Sequence, residues 1–422
     1  MYSLIRKYPF YGWRMVAAAC AMQFLQAALL HNAFGAYFAV LTEEFGWSKT
    51  ALSGAAAMQP MEAAILGPLL GWIIDRFGPQ GMIRAGVVIF GLGFIGLSTI
   101  STLFGFYVAI ITIALGASLC GYFPLNVAVI RWFERHRAKA LSFLTLGLAM
   151  GGTFVPAVAW SMQTFGWRPT AFGSGILILL VGFPLAKVFK SRPADHGEFV
   201  DGEPPVAEQS TGPYPQATRD FTASEALRTR AFWLISLGHG FALLVVYGVN
   251  VHAITHMRES LGYSLAQASV FITLLTLAQI VGVLLGGMLG DRFEKRLISA
   301  ACMLCHAVGL LLLTYATGAV MLTAFAIIHG TAWGMRGPMM QAMRADYFGS
   351  KSIGMILGIS SMVIVLGQVG GPMLAAILAD YTGNYRLGFT VLAALVGSGS
   401  IFFLLAKKPV PRSQGRNTFR SE

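Results

Sequence analysis

An arginine and a glutamate stand deep within long apolar runs, Arg336 in HGTAWGMRGPMMQAMR (329–344) and Glu62 in MQPMEAAILGP (58–68). A guanidinium can hold a carboxylate through two parallel hydrogen bonds. A carboxylate surrounded by apolar side chains can take up and release a proton during a reaction cycle. Each also has a purely structural alternative. Arg336 can pair with a membrane acid or with helix carbonyls, and Glu62 can form a permanent ion pair, with Arg336 as one candidate. Arg336 lies eight residues inside Arg344, roughly 12 Å along a helix, and Gly337 and Pro338 follow it at once.

Other polar groups recur in the same kind of surroundings. His31 and Asn32 sit in the first apolar run, and Asn250, His252 and His256 in the seventh. Histidines there can relay protons, and capping or packing is the alternative for each. Gln26, Gln59, Tyr122, Asn126, Tyr247, Gln279 and Gln368 can line a cavity or join neighbouring helices. The expected substrate-binding set is Arg336 with Tyr122, Asn126, Gln26, His31, Tyr247, Asn250 and Gln59, and Glu62 is the expected proton-coupling group. Two motif matches carry no weight. GLGFIG (91–96) lies within an apolar helix with no strand before it. CMLCH (302–306) sits inside a membrane run, where no haem is attached. No metal-ligand cluster or nucleophile–base arrangement is visible, so no metal, cofactor or catalytic residue is expected, and the chain does not read as an enzyme.

These residues need membrane helices to position them. Of 422 residues, 56% are hydrophobic and 11% charged, with a mean hydropathy of +0.66. Soluble domains carry about 25% charged residues, which excludes a water-soluble enzyme, and the apolar content excludes a disordered chain. Apolar runs of about 20 residues span a bilayer. Six are placed near 13–41, 48–74, 82–101, 104–131, 138–165 and 170–189, and six near 231–257, 264–290, 297–316, 319–343, 352–379 and 386–406. The first is expected to be retained, since no small-residue cleavage site follows it. The four cysteines all lie in apolar runs, so no disulfide framework is implied.

Lysine and arginine orient the spans. With the ends and the even-to-odd loops assigned to the cytoplasm, that side holds 25 of the 30 basic residues. Lys49, Arg168, Arg258 and Arg386 remain outside, and Arg336 lies within a span. The net charge of +12 is thus explained by topology, and no nucleic-acid partner is expected. The proline-rich, acidic stretch 191–228 reads as a flexible cytoplasmic linker. It separates an N-terminal half, 1–190, from a C-terminal half, 229–422.

The halves repeat at an offset of 216 residues. Glu43, Gly46, Trp47 and Ser48 correspond to Glu259, Gly262, Tyr263 and Ser264; Gly71, Asp75 and Arg76 to Gly287, Asp291 and Arg292; and Pro156 to Pro372. With slips of one or two residues, Gly166 matches Gly383 and Tyr122 stands opposite Arg336. Two six-helix halves in parallel repeat are a secondary-transporter architecture, with substrate held between them near mid-membrane.

GWIIDRFGPQ (71–80), in the loop between spans two and three, resembles the Gly-x-x-x-Asp-Arg-x-Gly signature of the major facilitator superfamily. GMLGDRFEKR (287–296) is a second copy at the matching loop, with Glu294 where the glycine would be. The resemblance implies an all-α membrane protein of twelve helices in two six-helix pseudo-repeats. It also implies a gating role for Asp75 and Arg76, which lock the cytoplasmic side in the outward-open state, with Asp291 and Arg292 as a weaker second copy. YGWRMV (11–16), EEFGWS (43–48) and WFERHRAKALSFLTLG (132–147) are similar to the monocarboxylate and oxalate–formate branch. Lys139 and Ser142 depart from that branch, helix eight carries no arginine, and helix one lacks its proton-linked lysine.

The function expected is secondary transport of a small organic anion, a mono- or dicarboxylate, by alternating access with proton symport. Proton-coupled efflux of drug-like compounds is the alternative within transport, and a membrane sensor the alternative outside it. The expected setting is the inner (plasma) membrane with both termini cytoplasmic, where the chain is a monomer in lipid exchanging a carboxylate and protons.

Overall fold

The computed structural model describes residues 10–31, 33, 37, 40–41, 44–47, 62, 65–203 and 220–410. Within them the chain is helical. The first half contains α1 (Tyr11–Gln26), α2 (65–77), α3 (Pro79–Ser98), α4 (Leu103–Cys120), α5 (Tyr122–Ile130), α6 (Arg137–Gly151), α7 (Val155–Phe165), α8 (Trp167–Leu177) and α9 (Phe183–Val188). The short α10 (Ala223–Leu227) leads into the second half: α11 (Arg230–Glu259), α12 (Leu265–Gly290), α13 (Lys295–Thr314), α14 (Ala319–Phe348), α15 (Ile353–Thr382) and α16 (Arg386–Leu405). Among the described residues nine helical stretches are long and apolar enough to cross a membrane, and α6 with α7 forms a tenth, bent one. The thirty-residue α14 is not among them, because Arg336, Gln341, Arg344 and Asp346 dilute its apolar character. The run at 48–74 is described only in part.

Local chemistry sets the helix ends. Thr102 caps α4 by accepting from Gly105 N at 3.1 Å. Ser264 and Gln267 close a reciprocal capping box on α12. The repeat is visible in the turns: Gly46 and Gly262 take φ of 64° and 73°, and Gly166 and Gly383 take 90° and 75°. Those left-handed values strain any residue with a Cβ, so both halves spend glycine at the same places.

Packing repeats as well. α1 against α6 matches α11 against α15; α3 against α4 matches α13 against α14; α3 against α8 matches α13 against α16. The buried apolar side chains form one cluster in each half, and the first also takes in Ala342, Ala345, Ile353 and Leu357 from α14 and α15. Large apolar side chains such as Phe104, Trp160, Val270, Leu366 and Ile377 are exposed, as befits a surface that meets lipid.

Two local features add to the sequence reading. The fourth run, expected near 104–131, is a single span, Leu103–Ile130, with a local bend at Gly121 between α4 and α5, where a Cβ would meet Gln26 Oε1 at 2.5 Å. The stretch 191–228 is tied down at both ends. The Asp201 carboxylate accepts from the N–H groups of Glu134, Arg135 and His136 at 3.0, 2.7 and 3.3 Å, and Asp220 accepts from Lys351 N at 2.9 Å.

Candidate functional site

Arg336 occupies the middle of α14 and is fully buried, at 0% exposure. Its Nε and Nη1 have no hydrogen-bond partner, and among the described residues no carboxylate pairs with it. Gly330 and Gly334 let α12 come against the backbone of α14, and a Cβ on Gly330 would lie 3.0 Å from that of Ala278.

A second buried guanidinium sits eight residues further on. Arg344 is 1% exposed, donates to Met340 O at 3.0 Å and Ser360 Oγ at 2.8 Å, and lies 3.4 Å from His239 Nδ1. The sequence reading placed Arg344 with the loop charges at the membrane edge. That is corrected: α14 runs on to Phe348, and α11 and α15 enclose the side chain. The charges of both arginines act on Tyr122 at the start of α5, whose side chain faces Gln341 of α14 and Thr145 of α6. Tyr122 and the two arginines therefore converge from opposite halves. Buried donors left unsatisfied, with no carboxylate beside them among the described residues, can hold a negatively charged group.

The other expected site residues divide. Asn126 is buried, with Nδ2 donating to Tyr122 O at 2.5 Å and Oδ1 unpartnered. Gln26 is buried but spends its amide on Ala117 O at 2.9 Å, joining α1 to α4. Tyr247 is half-buried and Asn250 exposed on α11. Glu62 accepts from Ser118 Oγ at 2.7 Å, its Oε1 is unpartnered, and it does not pair with Arg336. The side chain of His31, together with Asn32 and Gln59, lies outside the described residues. His252 and His256 bond the Pro372 and Leu313 carbonyls at 3.0 and 3.2 Å, which is the helix-joining alternative. Gln23 was not singled out from sequence, yet it is 1% exposed with both amide atoms unpartnered.

At one end of the bundle the halves are latched. The Asp75 carboxylate accepts from Gly354 N and Met355 N at 3.0 and 2.8 Å, at the start of α15. Asp291 does the same at the start of α6, accepting from Ala138 N and Lys139 N at 2.8 and 3.0 Å. An anion at a helix N-terminus meets unsatisfied N–H groups and the positive end of the dipole. The second copy thus accepts the same pair of helix N-terminal N–H bonds as the first. The basic partner of Asp75 is Arg131, at 3.1 Å, whereas Arg76 stacks over Trp72 and Phe77 and Arg292 is exposed. Burial pushes both carboxyls up, and the N–H groups they accept from pull the other way. The latch accordingly depends on directed hydrogen bonds more than on net attraction of charge. Arg137 of α6 and Lys295 both bond Asp346, the latter at 2.8 Å. Glycine permits the contact, since a Cβ on Gly71 would lie 2.5 Å from Gly354 O and one on Gly287 3.0 Å from Ser142 Cβ.

Comparison with known proteins agrees with this architecture. The model of the Major Facilitator Superfamily matches residues 16–254 and 235–421. The chain is 27% identical over 269 residues to a probable sulfoacetate transporter of Cupriavidus necator, covering 61% of this chain and 60% of that one. It is 24% identical over 296 residues to the hexuronate transporter of Escherichia coli, covering 69% and 68%. Its fold matches the crystal structure of the Escherichia coli fucose:proton symporter with a TM-score of 0.70 at 16% identity, over 93% of this chain and 98% of that one. The protein is a multi-pass integral membrane protein, and it belongs to the Major Facilitator Superfamily.

Proposed function

We propose that this protein is a secondary active transporter for a small organic anion, a carboxylate or a related acid, working by alternating access. The observation that carries the reading is Arg336, a fully buried guanidinium with Nε and Nη1 unpartnered and no acid beside it. Two relatives point the same way, because sulfoacetate and hexuronate are both organic anions. In this reading Arg336 holds the anion, with Arg344, Tyr122 and Gln341 around it. Asp75 and Asp291 form the latch that closes one side, which the distribution of lysine and arginine makes the cytoplasmic one. The transporter then works as a monomer in the inner (plasma) membrane, with both termini in the cytoplasm. A kinship with the monocarboxylate and oxalate–formate branch is part of the proposal.

Proton symport belongs to the same proposal. Glu62 accepts from Ser118, four residues before Tyr122 in the chain, and in this reading it takes up and releases the transported proton. Glu62→Gln is expected to abolish accumulation driven by a pH gradient while sparing anion exchange; accumulation that survives removes Glu62 from the route.

Binding tests the reading. Purified protein is melted against lactate, oxalate, succinate, glucuronate, sulfoacetate, neutral sugars and lipophilic cations. A ligand at 100 times its Kd should stabilise by about 2.7 kcal/mol. Anions alone are expected to stabilise, and Arg336→Lys, which keeps the charge but loses the fork, to weaken the effect by at least about tenfold in affinity. Stabilisation by cations or neutral sugars instead, unaltered by Arg336→Lys, would defeat it.

A further inference from the structure

Two turns of α14 from Arg336, His329 faces His306 of α13. Their Nδ1 atoms are 3.2 Å apart and their ring centroids 4.6 Å, and both residues are 0% exposed. Gly309, nearly one turn along α13, allows the approach, since a Cβ there would meet His329 Cβ at 3.0 Å. A bond between two Nδ1 atoms needs one donor and one acceptor. In the donating ring Nε2 is then a bare lone pair; in the accepting ring Nε2 carries the hydrogen. Both Nε2 atoms are buried without a partner. The neutral pair therefore keeps one unused proton acceptor inside the protein.

Arg336 is the charged group that acts on both rings. It follows His329 by seven residues, so it lies on the same face of α14, roughly 10 Å along the axis. The other elements packed against the pair bring little. α12 has no ionisable side chain, and that of α16 is Arg386, at its first residue. On α13 itself stand Cys302 and the exposed Cys305, with Lys295 and Arg296 at its first two residues. α11 brings His239, which lies against Arg344, and His256, which is bound to Leu313 O. Among the described residues no carboxylate faces the pair.

We propose that the His306–His329 pair is a protonation site governed by the occupancy of Arg336. With Arg336 bare, a positive charge on the pair is repelled by the guanidinium in a poorly screening interior. An anion on Arg336 cancels that repulsion. One proton then adds to the bare Nε2, the ring becomes an imidazolium, and its Nδ1–H donates a charge-assisted bond to the partner ring. The anion and the proton thus bind together. The inference rests on the reading of Arg336 as the anion site, and is independent of Glu62, which belongs to the first half and is bonded to Ser118.

The test adds sulfoacetate, glucuronate or succinate to purified protein in weakly buffered detergent near neutral pH. A pH-sensitive dye reads protons and calorimetry reads binding. Wild type is expected to take up about one proton per anion, and its Kd to weaken about tenfold per unit rise in pH. H306N/H329N is expected to bind the anion with no uptake and a Kd that is flat with pH. Histidine nitrogen resonances of the wild type supply a second readout that needs no variant: one imidazolium appears only when the anion is present. Uptake that persists in H306N/H329N, or that is absent while wild type binds the anion, overturns the proposal. Failure of wild type to bind any of the three is a different result, seen by calorimetry alone; it defeats the Arg336 reading, and this inference with it.

Discussion

Arg336→Met is expected to raise the melting temperature of the empty protein and to abolish anion binding. The two effects have one cause. An unpaired guanidinium at 0% exposure costs the fold free energy, and each buried polar group left without a partner costs about 1–3 kcal/mol. Replacing buried charge by an apolar side chain of similar volume is commonly neutral or stabilising, by about 1–4 kcal/mol. Binding behaves oppositely: two charge-assisted hydrogen bonds at about 1.5–3 kcal/mol each are lost, so affinity should fall by roughly 100-fold or more. Were Arg336 instead a structural tie, its removal would strand a buried partner and destabilise by about 3–5 kcal/mol. Melting with and without a bound anion separates the cases, because the structural account requires a lower melting temperature in the empty variant.

Gly71→Leu is expected to hold the Asp75 end open and to stop turnover. A Cβ at 71 would stand 2.5 Å from Gly354 O and 2.8 Å from Met355 Cα. Those are backbone atoms that cannot rotate away, so the halves must part. Overpacking a tight contact costs about 1–3 kcal/mol even where side chains can adjust, and at this crossing that cost falls only on the closed state. The equilibrium should shift by roughly 5- to 100-fold toward the open arrangement. Ser142→Cys reports it from the pseudo-symmetric crossing, where Ser142 is 2% exposed and packs against Gly287. Alkylation of that cysteine should accelerate by at least about fivefold in the Gly71→Leu background, with anion binding retained. An unchanged rate would mean that the two crossings do not move together.

Much of the fold could be read from the sequence. The runs of twenty apolar residues, the skew of lysine and arginine and the duplicated Asp-Arg loop are one-dimensional signals, and each is imposed by the bilayer or by the repeat. The parts that escaped depend on three dimensions. Arg344 looked like a loop charge because its distance from the apolar run was counted along the chain, yet α11 and α15 close over it. His306 and His329 are single histidines 23 residues apart, and nothing short of the α13–α14 crossing brings them together. The resemblance gives Asp75 and Arg76 a gating role without naming what they touch; Arg131 and the first N–H groups of α15 reach Asp75 only through the fold. Arg336 and Tyr122, by contrast, were legible, since a charge in an apolar run is costly and the repeat sets the two opposite each other.

The central claim is most directly tested by exchange of a labelled organic anion across proteoliposomes loaded with the same unlabelled anion, for wild type and Arg336→Lys side by side. Sulfoacetate, glucuronate and succinate are the anions, and a neutral sugar is the control. Anion exchange by wild type, reduced at least about tenfold in Arg336→Lys and absent for the sugar, is the predicted result. Exchange of the sugar, or anion exchange indifferent to Arg336→Lys, would contradict the account.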